Sequence, residues 1–313
     1  MRFLILGTGG VGGYFGAKLA QAGNDVWFIA RGEHLRAMKA SGLRIRSTGG
    51  EFVIPPGKMT DAPRDAGSPD VVLFCVKSYD TETAALQLAP ILQKDSIVLS
   101  LQNGIDNEEK IKGLIPHGHV YGGVAYVSAR ITAPGEITET GGFQRIVFGP
   151  MDGPISEPAR EIHRSLAGAG IKCDLRETVL NDLWNKLLFI ASMGSFAAMS
   201  RLTQGEIIAQ PETISLVFRA MHEVEALAWK RGVNIEPLNE RKMLESMKRF
   251  HGDTRSSMYY DLINQKPLEV EALNGTVVRL GRELGIPTPI HDVIYAALLP
   301  YHLKHLRLRW IQS

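Results

Sequence analysis

Near its start the sequence carries a glycine-rich segment of the kind that holds phosphate groups. The segment Gly7-Thr8-Gly9-Gly10-Val11-Gly12 has the spacing GxGxxG, follows the apolar run Phe3 to Leu6 and precedes a helical pattern. In this context the first glycine permits a tight turn, the second lets backbone N–H groups approach a pyrophosphate, and the third lets helix and strand pack closely. The partial positive charge of a helix N-terminus also favours a diphosphate. We therefore predict a dinucleotide-binding loop.

Two basic residues after later apolar runs bear on which dinucleotide binds. The second run ends in Ala30-Arg31, at the place where a carboxylate usually binds the ribose. A guanidinium can hold a 2′-phosphate through charge-assisted hydrogen bonds, whereas a carboxylate would repel it. Arg31 therefore predicts NADPH, the alternative being that Glu33 binds the ribose and Arg31 is solvated. Lys77, just past the third run, is either a second cation near the cofactor or an ordinary surface lysine.

A lysine on an apolar helix is the candidate for acid–base chemistry. Lys186 lies in the helical stretch Asn181 to Ile190, among tryptophan, leucine and phenylalanine side chains. Loss of water around an ammonium lowers its pKa, which makes it a competent proton donor. The alternative is a stem that lies along the surface with its charge in water. Glu269 could hold this lysine in place or be a solvated charge.

Amide and hydroxyl groups supply candidates for substrate and ribose contacts. Gln102-Asn103-Gly104 follows the fourth apolar run, where an amide could bind the nicotinamide ribose or the substrate, unless the pair only forms an Asn-Gly turn. Ser256 and Ser257 begin a helical pattern. Their hydroxyls could bind a substrate carboxylate or cap the helix.

The pattern of apolar residues predicts an α/β chain with two domains. The chain has 313 residues, 44% of them hydrophobic, and one core usually splits beyond roughly 250–300 residues. Continuous apolar runs alternate with helical patterns over residues 1–177, which predicts a Rossmann-type doubly wound sheet. Short runs between Gly122 and Gly149 are expected to join that sheet. Residues 178–313 lack strand signals, so we predict an all-α C-terminal domain.

Charge and composition argue against several classes of partner. There are 35 Lys and Arg residues against 33 Asp and Glu, so no broad field attracts nucleic acid or a membrane surface. No apolar run approaches the roughly 20 residues that span a bilayer, and we expect a soluble, cytoplasmic protein. Two cysteines without CxxC spacing and nine histidines without ligand spacing predict no metal site. The apolar C-terminal helices leave a homodimer open.

Taken together and in order, these motifs resemble the ketopantoate reductase (2-dehydropantoate 2-reductase) family. The resemblance covers nearly the whole chain. It rests on the glycine loop and on Val76-Lys77-Ser78, Gln102-Asn103-Gly104, Trp184-Asn185-Lys186-Leu187, Ser256-Ser257-Met258, Glu269 and Asn274-Gly275.

The resemblance implies roles for individual residues. It implies that Lys186 protonates the ketone oxygen as NADPH reduces 2-dehydropantoate to (R)-pantoate, a step toward pantothenate. Asn103 and Ser257 would bind the substrate, a small 2-keto acid, and Glu269 would lie at the substrate end of the cleft as a catalytic residue with Lys186.

One departure from the family pattern leaves the substrate open. Many members carry asparagine four and eight residues after the lysine, where this chain has Ile190 and Gly194. Ser192 and Ser195 are nearby polar replacements. A reductase of another branched 2-keto acid is therefore the alternative among enzymes. A non-catalytic NADP-binding redox sensor is the alternative outside them, although it gives Lys186, Ser257 and Glu269 no common purpose.

Overall fold

The chain forms two compact units in a computed structural model that describes residues 1–151, 153–250 and 252–312. The sheet unit contains Met1–Gln102 and Asp106–Leu180. The helical unit contains Asn103–Ile105 together with the described residues from Asn181 onward. The three residues 103–105 thus leave the sheet unit and belong with the helices.

Strands of the sheet unit are short, and β6 and β7, in the middle of the main sheet, are buried at every position. Their bounds are β1 (Arg2–Leu6), β2 (Asp25–Ile29), β3 (Leu43–Ser47), β4 (Gly50–Ile54), β5 (Met59–Thr60), β6 (Val71–Phe74), β7 (Ile97–Ser100), β8 (His119–Tyr126), β9 (Ala129–Ala133), β10 (Glu136–Glu139), β11 (Arg145–Pro150) and β12 (Lys172–Leu175). Among the described residues, the main sheet has the order β5-β2-β1-β6-β7-β8-β11-β12. Neighbours from β5 to β8 are parallel, whereas β11 runs antiparallel to β8.

Both faces of the main sheet are covered, as the apolar runs predicted. The helices of this unit are α1 (Gly10–Gln21), α2 (Gly32–Ser41), α3 (Thr81–Leu88), α4 (Asn107–Leu114) and α5 (Glu157–Gly168). Successive residues of a strand point to opposite faces. In β1, Phe3 and Ile5 enter one hydrophobic core, while Leu4 and Leu6 enter the other. The Rossmann-type fold predicted from the sequence is confirmed.

A second, smaller sheet corrects one expectation. Its order is β4-β3-β10-β9, with β3 and β4 as an antiparallel hairpin and β10 parallel to β3. The prediction that the runs between Gly122 and Gly149 all join the main sheet is right for β8 and β11 and wrong for β10. Ile137 of β10 is fully buried in the core that also contains Ile45 of β3. Its apolar side chain is therefore removed from water without β10 joining the main sheet.

The helical unit confirms the predicted all-α character of the C-terminal half. Its helices are α6 (Leu180–Phe189), α7 (Ser195–Ser200), α8 (Gln204–Ala209), α9 (Pro211–Lys230), α10 (Glu240–Phe250), α11 (Ser257–Ile263), α12 (Thr276–Leu284) and α13 (Pro289–Gln312). No strand occurs in its described part beyond residue 181. Among the residues described, no helix is both long enough and apolar enough to cross a bilayer.

Two π-helical turns interrupt the helical unit beside the candidate residues. One, Ile190–Gly194, joins α6 to α7, and the other, Glu271–Gly275, leads into α12. The buried Asn274 side chain connects them, because its Nδ2 donates to the carbonyl oxygen of Ala191 at 2.9 Å. Lys186 lies one turn before the π-helical turn Ile190–Gly194, and Glu269 lies two residues before Glu271–Gly275. The hydrogen bond between the two turns therefore constrains the backbone near Lys186 and Glu269.

A buried carboxyl group lies at the start of α4, behind the carboxyl end of β7. Glu108 is only 2% exposed. Burial raises the pKa of Glu108 to about 7, and the nearby Asp106 carboxylate acts in the same direction. The protein therefore holds this group largely protonated below neutral pH, whereas an unfolded chain would ionise it near its usual pKa.

Glu108→Gln is expected to stabilise the protein more at alkaline than at acidic pH. A carboxyl whose folded pKa is raised favours folding at low pH and loses that contribution as the pH rises through about 7. The variant, which cannot ionise, should gain about 2 kcal/mol over wild type between pH 5.5 and 8.5. Urea unfolding at both pH values measures this gain. Glu109→Gln, at the exposed neighbouring position, should show no pH-dependent gain, and equal behaviour of the two variants would contradict the assignment.

Candidate functional site

The loop between β1 and α1 requires glycine at its two ends. Gly7 has a φ of +103°, and a Cβ there would lie 2.7 Å from the backbone nitrogen of Val76. A Cβ on Gly12 would overlap the carbonyl oxygen of Gly7 and lie 2.9 Å from the Cys75 Cβ. These two glycines therefore let the loop turn and let α1 approach the sheet, as the spacing predicted.

The middle glycine faces open space at the start of α1. A Cβ built on Gly9 would meet no heavy atom within 4 Å. Gly9 is the N-cap residue, and the first turn of α1 holds no acidic side chain. Backbone N–H groups at this helix start, with their partial positive charge, suit a phosphate group. The loop thus fits the diphosphate of a dinucleotide.

The other loop residues contribute to the fold. Thr8 is 3% exposed, and its hydroxyl donates to the carbonyl oxygen of Ile29 at 2.9 Å. Only glycine fits at position 10, because a Cβ on Gly10 would overlap the carbonyl oxygen of Ala129. Val11 is partly buried and packs against the core. The sequence spacing alone gave no sign of the contact with Ala129, which comes from a distant part of the chain.

Arg31 has an acidic neighbour, Asp80, from a distant part of the chain. Its guanidinium forms an ion pair with Asp80 at 2.8 Å, and 63% of the Arg31 side chain is exposed. Glu33, the alternative ribose ligand, is itself exposed and pairs with Arg36 at 3.2 Å. Arg31 presents five N–H donors in a fixed fork, and its exposed part is accessible to an anion.

Gln102 has a structural use that explains its place beside Asn103. Its Nε2 donates to the carbonyl oxygen of Val76 at 2.9 Å and to the Thr81 hydroxyl at 2.8 Å. It therefore ties the turn after β7 to the turn after β6. Lys77 is partly buried in the latter turn, so Gln102 helps to fix its backbone. Gln102 Nε2 is thus engaged by two acceptors within the fold.

Three predicted residues come together in the helical unit. Asn103 Nδ2 donates to Glu269 Oε2 at 3.3 Å, although 166 positions separate the two residues. Glu269 is 5% exposed, and Lys186 is partly buried. Burial lowers the pKa of the Lys186 ammonium to about 8, and the Glu269 carboxylate opposes this shift. The arrangement is a poorly hydrated cation held beside a buried carboxylate, which is a chemically competent proton donor.

Ser256 and Ser257 have different surroundings. Ser256 is the N-cap of α11, and its side chain accepts from the backbone N–H of Tyr259 at 3.1 Å. Ser257 is the first residue of α11 and is exposed. The capping interpretation therefore holds for Ser256, and Ser257 is left with an accessible hydroxyl.

The positions that depart from the family pattern lie along the same helical path as Lys186. Ile190 is partly buried, and Gly194 is buried. A Cβ on Gly194 would lie 3.8 Å from the Ser256 Cβ and 3.9 Å from the Ile190 Cβ. Ser192 and Ser195 are fully buried, and within the described chain their hydroxyl oxygens have no hydrogen-bond partner. Ile190 and Gly194 therefore offer no polar side chain, and a methyl group on Gly194 would make only ordinary van der Waals contacts.

The part of the chain described here holds no group of three or more His, Cys, Asp or Glu side chains arranged to bind a metal ion. Both cysteines are free thiols. Burial raises the pKa of both thiols, so neither is a reactive thiolate at neutral pH.

Comparison with known proteins finds relatives over most of the chain. The sequence matches the family profile "Ketopantoate reductase PanE/ApbA" over residues 3–153 and "Ketopantoate reductase PanE/ApbA C terminal" over residues 178–302. It is 31% identical to a 2-dehydropantoate 2-reductase of Nostoc sp., covering 95% of this chain and 94% of the relative. It is 32% identical to one of Archaeoglobus fulgidus, covering 94% and 95%.

A solved structure extends the likeness to three dimensions. The PanE/ApbA family ketopantoate reductase of Ralstonia eutropha JMP134 superposes with a TM-score of 0.89 at 31% identity, covering 98% of this chain and 100% of that one. The chain therefore belongs to the ketopantoate reductase family and is an oxidoreductase of that family.

Substitution of two loop glycines by alanine should affect stability to very different extents. Gly12→Ala forces a methyl group into the Gly7 backbone and is expected to lower the free energy of unfolding by about 1–3 kcal/mol. Gly9→Ala places its methyl group in open space and should change that free energy by no more than about 0.5 kcal/mol. Urea unfolding of both variants measures the difference. A Gly9→Ala variant as unstable as Gly12→Ala would contradict the described loop.

Proposed function

We propose that the chain reduces 2-dehydropantoate to (R)-pantoate with NADPH, and that Lys186 supplies the proton. The observation that carries the proposal is the partly buried Lys186 ammonium beside Glu269, to which Asn103 also binds. Charge develops on the ketone oxygen as the carbonyl carbon is reduced. An ammonium already in place stabilises that charge more in the transition state than in the ground state.

The proposed cofactor residues are those of the glycine loop with Arg31, Lys77 and Asn103. The loop backbone would hold the diphosphate, since Gly9 leaves it accessible at the start of α1. Arg31 would hold the 2′-phosphate, and Lys77 would add positive charge beside the ribose or the diphosphate. When bound, NADPH supplies the hydride for the carbonyl carbon. We assign residues 1–177 to cofactor binding and residues 178–313, with Asn103, to substrate binding.

Glu269 has two roles in this proposal. Its carboxylate favours the charged form of Lys186 and so keeps the proton available near neutral pH. By accepting from Asn103 Nδ2 it also orients that amide. Asn103 and Ser257 are proposed to bind the substrate through its carboxylate and hydroxyl oxygens.

A second substrate is favoured by one specific observation. The positions four and eight residues after Lys186 are Ile190 and Gly194, neither of which has a polar side chain. A hydrophobic wall discriminates weakly between similar substituents, whereas a site that must satisfy buried polar groups discriminates strongly. Another branched 2-keto acid is therefore the second candidate. A preference for it by more than about tenfold in kcat/KM, equivalent to about 1.4 kcal/mol, would decide in its favour.

Lys186→Met is expected to abolish most turnover while leaving cofactor binding intact. Loss of one donor to a developing oxyanion lowers kcat by roughly 10²–10³-fold. In wild type, kcat/KM should fall above a pH of about 8, because Lys186 then loses its proton. Steady-state kinetics measure both effects, and fluorescence titration measures NADPH affinity.

Lys230→Met is the matched control for this substitution, because Lys230 lies exposed at the end of α9. It should leave unchanged both kcat and the fall in kcat/KM above a pH of about 8. Full activity in Lys186→Met would refute the assigned role. A wild-type protein that binds NADPH but turns over no 2-keto acid would instead favour the redox sensor.

Variants at the Arg31–Asp80 pair test the cofactor assignment. Arg31→Ala should weaken NADPH binding far more than NADH binding, because only NADPH carries the 2′-phosphate. Asp80→Asn removes the acidic partner of Arg31 and should strengthen NADPH binding. Dissociation constants for both cofactors measure these changes. Equal losses for NADH and NADPH in Arg31→Ala would contradict a 2′-phosphate contact.

A further inference from the structure

The backbone that carries Glu269 is irregular and buried, so its polar groups need partners. Residues 266–268 lie between α11 and the second π-helical turn and have no regular structure. Leu268, immediately before Glu269, is 0% exposed. A buried backbone N–H without an acceptor is strongly destabilising.

A histidine side chain from α13 supplies that acceptor. The backbone N–H of Leu268 donates to His302 Nδ1 at 3.1 Å, and His302 is itself 3% exposed. Because Nδ1 accepts, the ring must be neutral with its proton on Nε2. Desolvation lowers the pKa of His302, which maintains this form.

The backbone on the other side of Glu269 is held independently. The carbonyl oxygen of Glu269 accepts from the backbone N–H of Leu273 at 3.1 Å, and that of Val270 accepts from Gly275 at 2.8 Å. These bonds belong to the helical turn that follows. Within the described residues, the backbone N–H of Lys266 also donates to the carbonyl oxygen of Asp261 at 2.8 Å, and the bond from Leu268 to His302 is a side-chain contact that fixes the backbone immediately before Glu269.

We propose that His302 is a positioning residue, which holds the Glu269 carboxylate beside Lys186 and Asn103 by accepting the Leu268 N–H. The inference rests on the proposed function, since it assigns His302 to the same site. His302 acts only through Glu269. Loss of the His302 acceptor releases the segment before Glu269. The Glu269 carboxylate then stabilises the charged form of Lys186 less.

Two variants of His302 with similar side chains distinguish the loss of the hydrogen-bond acceptor from a change in packing. In His302→Asn the amide oxygen can occupy the place of Nδ1, whereas in His302→Gln it lies one bond further out. We expect His302→Asn to keep kcat within about twofold of wild type and His302→Gln to lose about tenfold, the scale of one buried hydrogen bond. His302→Leu, which has no acceptor, should lose at least as much. Equal kcat values for the Asn and Gln variants would overturn the proposal.

A double-mutant cycle with Glu269→Gln tests whether the effect passes through Glu269. If it does, His302→Gln should lower kcat by less than about twofold in the Glu269→Gln background. A tenfold loss in both backgrounds would show an independent, merely structural role and overturn the proposal. Wild-type turnover of 2-keto acids is measured first and tests the proposed function separately.

Titration of the Lys186 amine by NMR tests the proposal without any turnover. Glu269 raises the pKa of Lys186, so a displaced carboxylate should lower it. We expect a lower pKa for Lys186 in His302→Gln than in wild type, and an unchanged one in His302→Asn. An unchanged pKa in both variants would overturn the proposal even if the protein reduces no 2-keto acid.

Discussion

The chemistry proposed for this protein depends on a poorly hydrated ammonium held beside a buried carboxylate. Desolvation disfavours the charge on Lys186, and the Glu269 carboxylate partly restores it, which leaves the pKa at about 8. Either group without the other would be an uncompensated charge in a poorly hydrated place. The pair is therefore less a source of stability than a means of keeping a proton available near neutral pH.

The backbone that positions this pair is mostly irregular. Lys186 lies on a regular helix. Asn103 lies in a turn after β7, and Glu269 lies in an irregular, buried segment before a π-helical turn. Single π-helical turns are often found at functional sites. Side-chain hydrogen bonds replace regular pairing at each place: Gln102 holds the turn before Asn103, and His302 holds the segment before Glu269.

The sequence predicted what depends on local pattern and missed what depends on distant contacts. The glycine spacing between β1 and α1 and the apolar strands each follow from neighbouring residues, and the structure has them as expected. The placement of β10 in a second sheet, the Arg31–Asp80 ion pair and the bond from Leu268 to His302 join segments far apart in the chain. No periodicity within a single segment encodes such contacts.

Burial and the opposing Glu269 carboxylate together set the pKa of Lys186, and NMR titration of the Lys186 side-chain amine tests this directly. We expect a pKa of about 8 for Lys186 in wild type, and a lower value in Glu269→Gln, where only desolvation remains. A wild-type pKa near the ordinary lysine value of about 10.4, unchanged in Glu269→Gln, would contradict it.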